Sequence, residues 1–378
     1  MFSTLNLDLR PGNGLGIFEI GTSLWAVIES LRQRQHAFPQ VQVKFDPDSS
    51  VTTPIILHLR PHIDLLFSGR YQRLHTICLR KLRDPHPPVT LRYKEGVVSS
   101  PEEVLRRVGV SRTFGPTYQG DDLRYPGVHF SFEDDSALEG GKKNSLDDRT
   151  QEVKRVLISQ KLPDGAERDA LDEVVGCAAM NGQIVQALVQ IHVGVTLKLH
   201  QTSKPLVIRI GETTAQDLTL DLGAPLRVYY KEDDRMGIHS GSETSPDTRM
   251  PETEYFYNYF QYGIDFLLSP SHVVKKMLLH TNIPGSPLFQ RYNRCPWEIA
   301  GEPEDDEDET PPSRPFYDRF EQISRFMGHS EPPQPMVLNR TDDQDGLTLP
   351  SPTTRLYAYD GIILEVTEAS HVACVTLF

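Results

Sequence analysis

Short apolar segments of two kinds alternate along this chain of 378 residues. One kind places apolar side chains at helical spacing, as Leu24, Val27, Ile28 and Leu31 do, which is typical of a helix with one buried face. The other kind is a run of β-branched and aromatic residues, typical of strands that pack one face on a core. The two kinds recur in the same order, helix and then strands.

The clearest copy of this pattern predicts a helix at 211–223, a strand at 255–269 and a second strand at 271–280. Three further copies keep the order, with helices predicted to begin at Gly21, Pro101 and Tyr317. Their strand segments begin at His62, Gln72, Pro126, Glu152, Tyr357 and His371. Recurrence of one small unit indicates duplication. We therefore predict an α+β fold of about four tandem units, each a helix plus an antiparallel hairpin, arranged as two pseudo-duplicated halves.

Changes in composition divide the chain further. The predicted segments are an N-terminal half with units one and two at 14–160, bridging β-strands at 161–207, a third unit at 208–300, an acidic disordered linker at 301–315 and a fourth unit at 316–378. The linker holds the run EPEDDEDE between prolines, and like charges at this density resist compaction. Polar stretches at 134–150 and 239–253 are predicted to be exposed loops.

Charge and the absence of targeting signals narrow the class of protein. The net charge is −13, and the acidic run supplies about half of it, so nucleic acid is not expected as a partner. No apolar stretch is long enough to cross a bilayer, and the N-terminus lacks a basic region followed by an apolar run, so we expect a cytoplasmic location. The four cysteines are far apart with no CxxC pair, which signals neither a zinc site nor a redox dithiol.

The titratable residues on the strands follow the repeat. His272 and His371 are predicted to be equivalent in two copies, and Asp64, Asp265 and Asp360 to lie at related places in three. Equivalent residues on separate units do not converge on one cleft, so we interpret them as structural. The glycine string at 12–16 does not follow a strand and open a helix, as a dinucleotide site requires. We therefore expect no catalytic residues, no metal and no cofactor, and a protein that is not an enzyme.

Basic residues cluster at corresponding ends of two units. The first cluster is Arg70, Arg73, Arg80, Lys81 and Arg83, and the second is Lys275, Lys276, Arg291 and Arg294. Such clusters bind a phosphorylated lipid headgroup or an acidic partner surface through charge-assisted hydrogen bonds. The alternative is a solvated strand edge that its charges protect from aggregation, and the sequence leaves both interpretations open.

The third unit carries more than a repeat. Its segments VYYKEDDRMGIHS, YFYNYFQYGIDFLL, VKKMLLHTNIPG and FQRYNRC, with the C-terminal HVACVTLF and the early GTSLWAVIESL, closely resemble the phagosome assembly factor 1 family. The resemblance covers most of the chain and is loose at 134–182. The acidic run and the proline-rich stretches depart from the family pattern, from which we expect a divergent, fungal member.

This resemblance implies a non-enzymatic adaptor in autophagy. It implies a WD40 β-propeller partner of the breast-carcinoma-amplified-sequence class, and recruitment of the pair to phosphoinositide-containing phagophore membrane. A family-level association with Golgi-to-plasma-membrane transport leaves open a lipid- or ligand-binding trafficking module. The motif residues are Tyr229, Lys231, Asp265, Lys275, Lys276, His280, Asn282 and Gly285. From the motif and the basic cluster together, the predicted binding residues are Lys275, Lys276, Arg291, Arg294, Lys231, His280 and Asn282.

Overall fold

The computed structural model describes residues 4–117, 120–132, 150–161, 172–231, 253–301, 312–328, 331–339 and 353–378. The chain forms two compact structural units, each larger than one of the small repeats predicted from the sequence. They are Met1–Met180, called unit 1 from here on, and Asn181–Phe378, called unit 2. The described residues form an α+β structure with few helices and large, mostly antiparallel sheets, as the sequence predicted.

Four α-helices lie in the described part of the chain: α1 (Leu24–Arg32), α2 (Arg107–Phe114), α3 (Ala215–Leu222) and α4 (Phe320–Phe326). Side chains that accept a hydrogen bond from the first turn define two of the starts. The hydroxyl of Ser23 accepts from the backbone N of Ala26, and Thr214 forms a reciprocal pair with Asp217. The apolar stripe of α1 is buried at the four positions that its helical spacing predicted.

The strands of unit 1 are β1 (Leu5–Arg10), β2 (Gly14–Leu15), β3 (Phe18–Glu19), β4 (Val41–Lys44), β5 (Ile55–Leu59), β6 (Ile63–Phe67), β7 (Leu74–Arg80), β8 (Val89–Tyr93), β9 (Gly96–Ser99), β10 (Leu123–Tyr125), β11 (Val128–Ser131) and β12 (Arg155–Ser159). They form a five-stranded sheet in the order β3-β2-β1-β8-β9 and a seven-stranded sheet in the order β10-β11-β12-β7-β6-β5-β4. All pairs are antiparallel except β1 with β8, which are parallel.

The strands of unit 2 are β13 (Ile184–Gln190), β14 (Gly194–Leu199), β15 (Leu206–Arg209), β16 (Arg227–Tyr230), β17 (Tyr255–Tyr259), β18 (Ile264–Leu268), β19 (Val274–His280), β20 (Trp297–Ala300), β21 (Ser313–Pro315), β22 (Met336–Asn339), β23 (Thr353–Tyr359), β24 (Ile362–Val366) and β25 (Val372–Leu377). They form a five-stranded sheet, β15-β14-β13-β20-β21, and an eight-stranded sheet, β16-β17-β18-β19-β25-β24-β23-β22. The parallel pair here is β13 with β20. Strands β13 to β15, from the segment predicted to bridge the halves, thus share a sheet with β20 and β21.

Two predicted elements are wrong in their boundaries. Segment 255–269 is not one strand but the hairpin of β17 and β18, which turns at 260–263. The aromatic residues Phe260 and Tyr262 extend the strand pattern past Gln261 and Gly263, and the ring of Phe260 packs on Tyr292, with ring centroids 5.0 Å apart. The helix predicted from Pro101 begins at Arg107 instead. Residues 105–107 exchange backbone hydrogen bonds with 151–153, a tertiary pairing that helical periodicity does not report.

The predicted equivalence of His272 and His371 is off by one residue. Val273 and His371 each form an isolated bridge with the N-cap residue of the helix before them. The residue before each bridge has a left-handed backbone, with φ of 63° at His272 and 58° at Ser370. His272 therefore corresponds to Ser370, and His371 corresponds to Val273.

The aspartates divide in a similar way. Asp64 lies opposite Cys78 and Asp265 lies opposite Leu278, so these two carboxylates hold the same position in the large sheet of their own unit. Asp360 lies in the turn before β24 and does not share that position.

The predicted loops at 134–150 and 239–253 and the acidic run lie almost wholly outside the described residues. Ser313–Pro315, near the end of the predicted linker, form strand β21 and pair with β20. Within the described part of the chain, no helix combines the length and the apolar character needed to cross a bilayer.

Candidate functional site

The large sheet of unit 2 has helices on one face and polar side chains on the other. On the helix side, the hydroxyl of Tyr259 donates to the carbonyl of Gly223, which follows α3, at 2.9 Å. The hydroxyl of Tyr359 donates to the hydroxyl of Ser324 in α4, also at 2.9 Å. Because successive side chains of a strand point to opposite faces, Asp265 and its cross-strand neighbours point away from the helices.

We call the second face of this sheet the polar face. Its central residues are Asn258, Asp265, His280, Cys374 and Glu365, all buried. Asn258 lies directly opposite Asp265, and Cys374 lies opposite both His280 and Glu365. A cavity of 540 Å³ opens on this face. A concave surface with a few convergent polar groups is the usual form of a binding site.

Asp265 and His280 form the centre of the polar face. A carboxylate oxygen of Asp265 lies 3.0 Å from Nε2 of His280, and its other oxygen accepts from the amide of Asn258 at 2.8 Å. The ring of Tyr292 stacks on the imidazole with centroids 3.6 Å apart and planes 13° apart. Burial by itself lowers the pKa of His280, but the adjoining Cys374 sulfur and Asp265 raise it to about 10. Asp265 is therefore held by His280 on one carboxylate oxygen and by Asn258 on the other, within a buried hydrogen-bonded cluster.

The segment that follows β19 covers one end of the polar face, and two predicted binding residues hold it in place. Arg294 is buried and donates from Nε to the carbonyl of Thr281 at 2.7 Å. Asn282 is buried as well, and its side-chain oxygen accepts from the backbone N of Gln290 at 2.9 Å. Arg294 and Asn282 thus form the framework that positions Tyr292 over the imidazole, and they offer little surface to a partner.

The remaining predicted residues lie around the cavity or at its rim. Arg291 lines the cavity with His280. Lys231 and Lys275 both pair with Glu254, and these contacts, with Lys275 first, lower the pKa of that carboxyl. On the next strand position, the ammonium of Lys276 lies 5.6 Å from the ring centre of Phe378. Of the seven predicted residues, His280 and Arg291 thus line the cavity, whereas Lys275 and Lys276 lie at the opposite end of β19 from His280.

Several residues of the site were not predicted, Asn258 and Tyr292 among them. Arg227 lines the cavity and lies over the ring of Tyr229, 5.6 Å from its centre. Glu365 accepts from the hydroxyl of Thr354 at 2.8 Å, and Cys374 stands beside His280. The only sequence signal for Glu365 was a charged residue within an otherwise apolar strand, Ile362–Val366. A charged residue is rarely buried without a partner, so this pattern could have identified Glu365 as part of a polar site.

The first basic cluster does not stay together. Arg73 lies at the start of β7, where burial lowers its pKa to about 10 while Glu173 opposes the shift. Arg80, Lys81 and Arg83 lie at or beyond the other end of that strand, roughly 20 Å away at the rise of an extended chain. These residues are close in sequence, but the extended strand between them keeps them apart in space, so they do not form one cluster.

A metal site in a protein requires several ligand side chains that converge on one point. Within the described ranges, no group of three or more His, Cys, Asp or Glu side chains is placed to hold a metal ion. The polar face contains carboxylate, imidazolium and guanidinium groups, which suit a charged side chain of a partner or a small charged ligand.

Comparison with known proteins adds the family context. The model of the family described as phagosome assembly factor 1 matches residues 14–378. A PHAF1 protein of Arabidopsis thaliana is 27% identical, covering 98% of this chain and 92% of the relative. PHAF1 proteins of Caenorhabditis elegans and Drosophila melanogaster are 28% and 26% identical, covering 96% and 99% of this chain and 90% and 94% of their own lengths. No solved structure matches the chain.

Proposed function

Because the chain belongs to the phagosome assembly factor 1 family, we propose that it acts in autophagy as a non-enzymatic adaptor. In this role it binds a WD40 β-propeller protein and assists its recruitment to phosphoinositide-containing phagophore membrane from the cytoplasm. The family match over residues 14–378 carries the proposal, since it includes both units and the whole polar face. The relatives that share the family name align along nearly their full lengths.

The rim of the polar face supports a partner-binding role. Tyr229 and Phe378 are 48% and 42% exposed, and each lies beside a cationic side chain. Aromatic residues and arginine are enriched at the centres of protein interfaces, where they contribute most of the binding energy. Strand β16, which carries Tyr229, is also a sheet edge with exposed side chains throughout. Such an edge can accept a partner strand.

The central pair supports an adaptor more than a hydrolase. A general base needs access to its substrate, whereas His280 is covered by Tyr292 and bonded to Asp265. A buried ion pair with further hydrogen bonds instead fixes one arrangement of the segment above it. The polar face thus supplies a rigid base for the rim.

Affinity capture from the native source tests this proposal. We expect the wild-type chain to capture a β-propeller protein and the Lys275→Glu/Lys276→Glu variant to capture less of it. Lys198→Glu/Lys204→Glu is the matched control, because these lysines are also exposed and lie in unit 2 away from the rim. Repeated absence of any β-propeller protein from captures with folded wild-type chain would refute the proposal.

The cavity favours a second candidate function, a lipid- or ligand-binding module in Golgi-to-plasma-membrane transport. Its 540 Å³ is within the usual size of small-ligand sites, and Arg227 and Arg291 line it together with Glu365. Flotation of the purified chain with vesicles separates the candidates. Binding by the chain alone favours the second function, and binding only with the propeller partner favours the adaptor.

We also propose that the two units are pseudo-duplicated halves, each with two helix-plus-hairpin repeats. Counted from the start of each unit, the five-stranded sheets have the same strand order and the same parallel central pair. Each of the four helices has its N-cap residue bridged to the last strand of its own repeat: Ser23 to Arg73, Arg106 to Glu152, Thr214 to Val273 and Arg319 to His371. This proposal keeps the domain boundaries that the sequence predicted, which are 14–160, 161–207, 208–300, 301–315 and 316–378.

A further inference from the structure

A second charged cavity lies in unit 1, where β7 ends and β12 begins. It has a volume of 770 Å³ and apolar lining from Leu105 and Val153, both buried. Its basic lining residues come from two separate segments: Arg80, Lys81 and Arg83 after one strand, and Lys154 and Arg155 at the start of the other. Residues distant in sequence thus place five cationic groups around one cavity.

The local charge is opposite to that of the whole chain. Asp84 and Glu152 are the acidic side chains of the lining, against five basic ones, in a chain of net charge −13. Glu152 pairs with Arg83, and the carboxylate of Asp84 accepts from the backbone N of His86 at 3.0 Å. Basic side chains therefore outnumber acidic ones in the lining of the cavity, which favours an anion.

Two of the arginines face each other directly. Arg80 and Arg155 are cross-strand partners in the antiparallel pair of β7 and β12, an arrangement in which like charges repel. Asp64 accepts from one terminal nitrogen of Arg80 at 2.9 Å. Nε of Arg80 is buried, and no residue in the part of the chain that the structure describes accepts its hydrogen bond. Two guanidinium groups thus lie side by side in the lining of the cavity, an arrangement that suits an anion with several oxygens.

Lys81 adds an ammonium at the mouth of the cavity. Its backbone is left-handed, with φ of 51°, so the chain turns sharply after β7 and the residue is exposed. Its ammonium makes no hydrogen bond or ion pair with any residue that the structure describes. It is therefore available to a ligand without the loss of an existing contact.

We propose that this cavity binds a phosphate group, carried by a soluble phosphorylated molecule or by a lipid headgroup. Guanidinium forks match the oxygens of a phosphate in pairs, and a neighbouring ammonium adds a compact charge to them. A phosphate dianion also offsets the repulsion between the facing arginines better than a single carboxylate does. The acidic net charge of the chain disfavours a nucleic acid as the carrier. This inference goes beyond the proposed function because it needs no partner protein.

Titration calorimetry on the full purified chain tests the site, with inorganic phosphate and inositol trisphosphate as probes. We expect Lys81→Glu/Lys154→Glu to weaken inositol trisphosphate binding by about tenfold or more, since charge reversal beside a bound anion removes attraction and adds repulsion. Lys44→Glu/Lys94→Glu is the matched control, with the same charge change in unit 1 outside the cavity lining, and should bind as the wild type does.

Misfolding of a variant can explain a loss of affinity but not a gain, so a variant that is expected to bind more tightly completes the test. Glu152→Gln removes the carboxylate that pairs with Arg83, so we expect it to bind inositol trisphosphate several-fold more tightly. Wild-type chain that binds neither probe, or equal affinities for the wild type and all these variants, would overturn the inference. Because purified chain alone is used, such a failure leaves the capture of a propeller partner untouched.

Vesicles distinguish the two sources of the phosphate. Binding to phosphatidylinositol phosphate vesicles that inositol trisphosphate displaces identifies a lipid headgroup. Binding of the soluble probes without vesicle binding identifies a soluble molecule. Equal binding to phosphatidylserine vesicles of the same charge density, unaffected by inositol trisphosphate, would show attraction to surface charge alone and would contradict a phosphate site.

Discussion

At the scale of single residues, each unit places an aspartate at the same position in its large sheet but surrounds it with different hydrogen-bonding partners. Asp64 and Asp265 hold the same sheet position, and each pairs with a histidine, His58 and His280, but Asp64 also pairs with Arg80. Arginine stays charged at any working pH, whereas histidine titrates. The aspartate of unit 1 is therefore held by a permanently charged arginine as well as by a histidine, whereas Asp265 of unit 2 has His280 and the neutral amide of Asn258.

Asp265→Asn is expected to destabilise the protein in a pH-dependent way. The folded pKa of His280 is raised from 6.5 to about 10, so its contribution is complete below pH 6.5 and is lost as the pH rises towards 10. The variant should lose about 3–5 kcal/mol of unfolding free energy below pH 6.5 and less near pH 10. Denaturant titrations across this range measure the difference.

Asn258→Ala is the control for this prediction. It removes one hydrogen bond to Asp265 but keeps the acid and the imidazole together, so it should lower stability without changing the pH slope. An Asp265→Asn variant with the wild-type slope would show that His280 is neutral in the folded protein.

His371→Leu is expected to make the protein less sensitive to acid. Burial, then Arg319 and Arg294, lower the pKa of His371 from 6.5 to about 4. Protonation therefore favours the unfolded state, and wild-type stability should fall as the pH drops from 6.5 towards 4. Both ring nitrogens are buried and find no hydrogen-bond partner among the described residues, so leucine removes an unfavourable burial. Thermal unfolding at several pH values checks this, and an unchanged acid slope would contradict it.

At the scale of elements, the hairpins decide which residues meet. Apolar periodicity correctly placed the apolar face of α1 and the strand nature of β13, β14 and β15. It failed at the turn of the hairpin β17 and β18, because the aromatic Phe260 and Tyr262 continue the strand pattern through a turn that also holds Gln261 and Gly263. Turn prediction relies on polar residues and glycine, so a packed turn is read as more strand.

Gly263→Ala, a substitution in this packed turn, is expected to lower the stability of the protein. The backbone at Gly263 has a φ of 70°, and an added Cβ would lie 2.2 Å from the carbonyl oxygen of Asn293, which is fixed backbone. We expect a loss of about 1–3 kcal/mol in unfolding free energy. Gly361→Ala is the matched comparison at a similar φ of 73°, where the added Cβ meets the ring of His192, a side chain that can move. Denaturant unfolding should show the larger loss at Gly263, and equal losses would contradict the account.

At the scale of the whole molecule, each unit depends on one parallel strand pair that joins distant parts of the chain. In unit 2, Ala187 on β13 lies opposite Trp297 on β20, and both are fully buried. Parallel neighbours need long connections, and here the connection contains α3 and four strands of the large sheet. The five-stranded sheet therefore closes only when residues on both sides of the third repeat are present.

Truncation tests this dependence. A chain of residues 181–378 keeps both sheets of unit 2, so we expect a single cooperative thermal transition. A chain of residues 208–378 lacks β13 and β14 and leaves β20 without its parallel partner, so it should lose that transition or aggregate. If the shorter chain unfolds as cooperatively as the longer one, the strands at 184–199 are dispensable and the bridging role predicted for 161–207 is the better description.

The sequence by itself determined the α+β class, the apolar face of α1 and the family. These are recorded locally, because the burial of a side chain follows the period of its own element. Only the tertiary structure decided that His280 meets Asp265 and Cys374, that Arg80 faces Arg155, and that Arg294 and Asn282 are framework. Those contacts depend on strand register and on pairing between distant segments, and a shift of one residue would send each side chain to the opposite face.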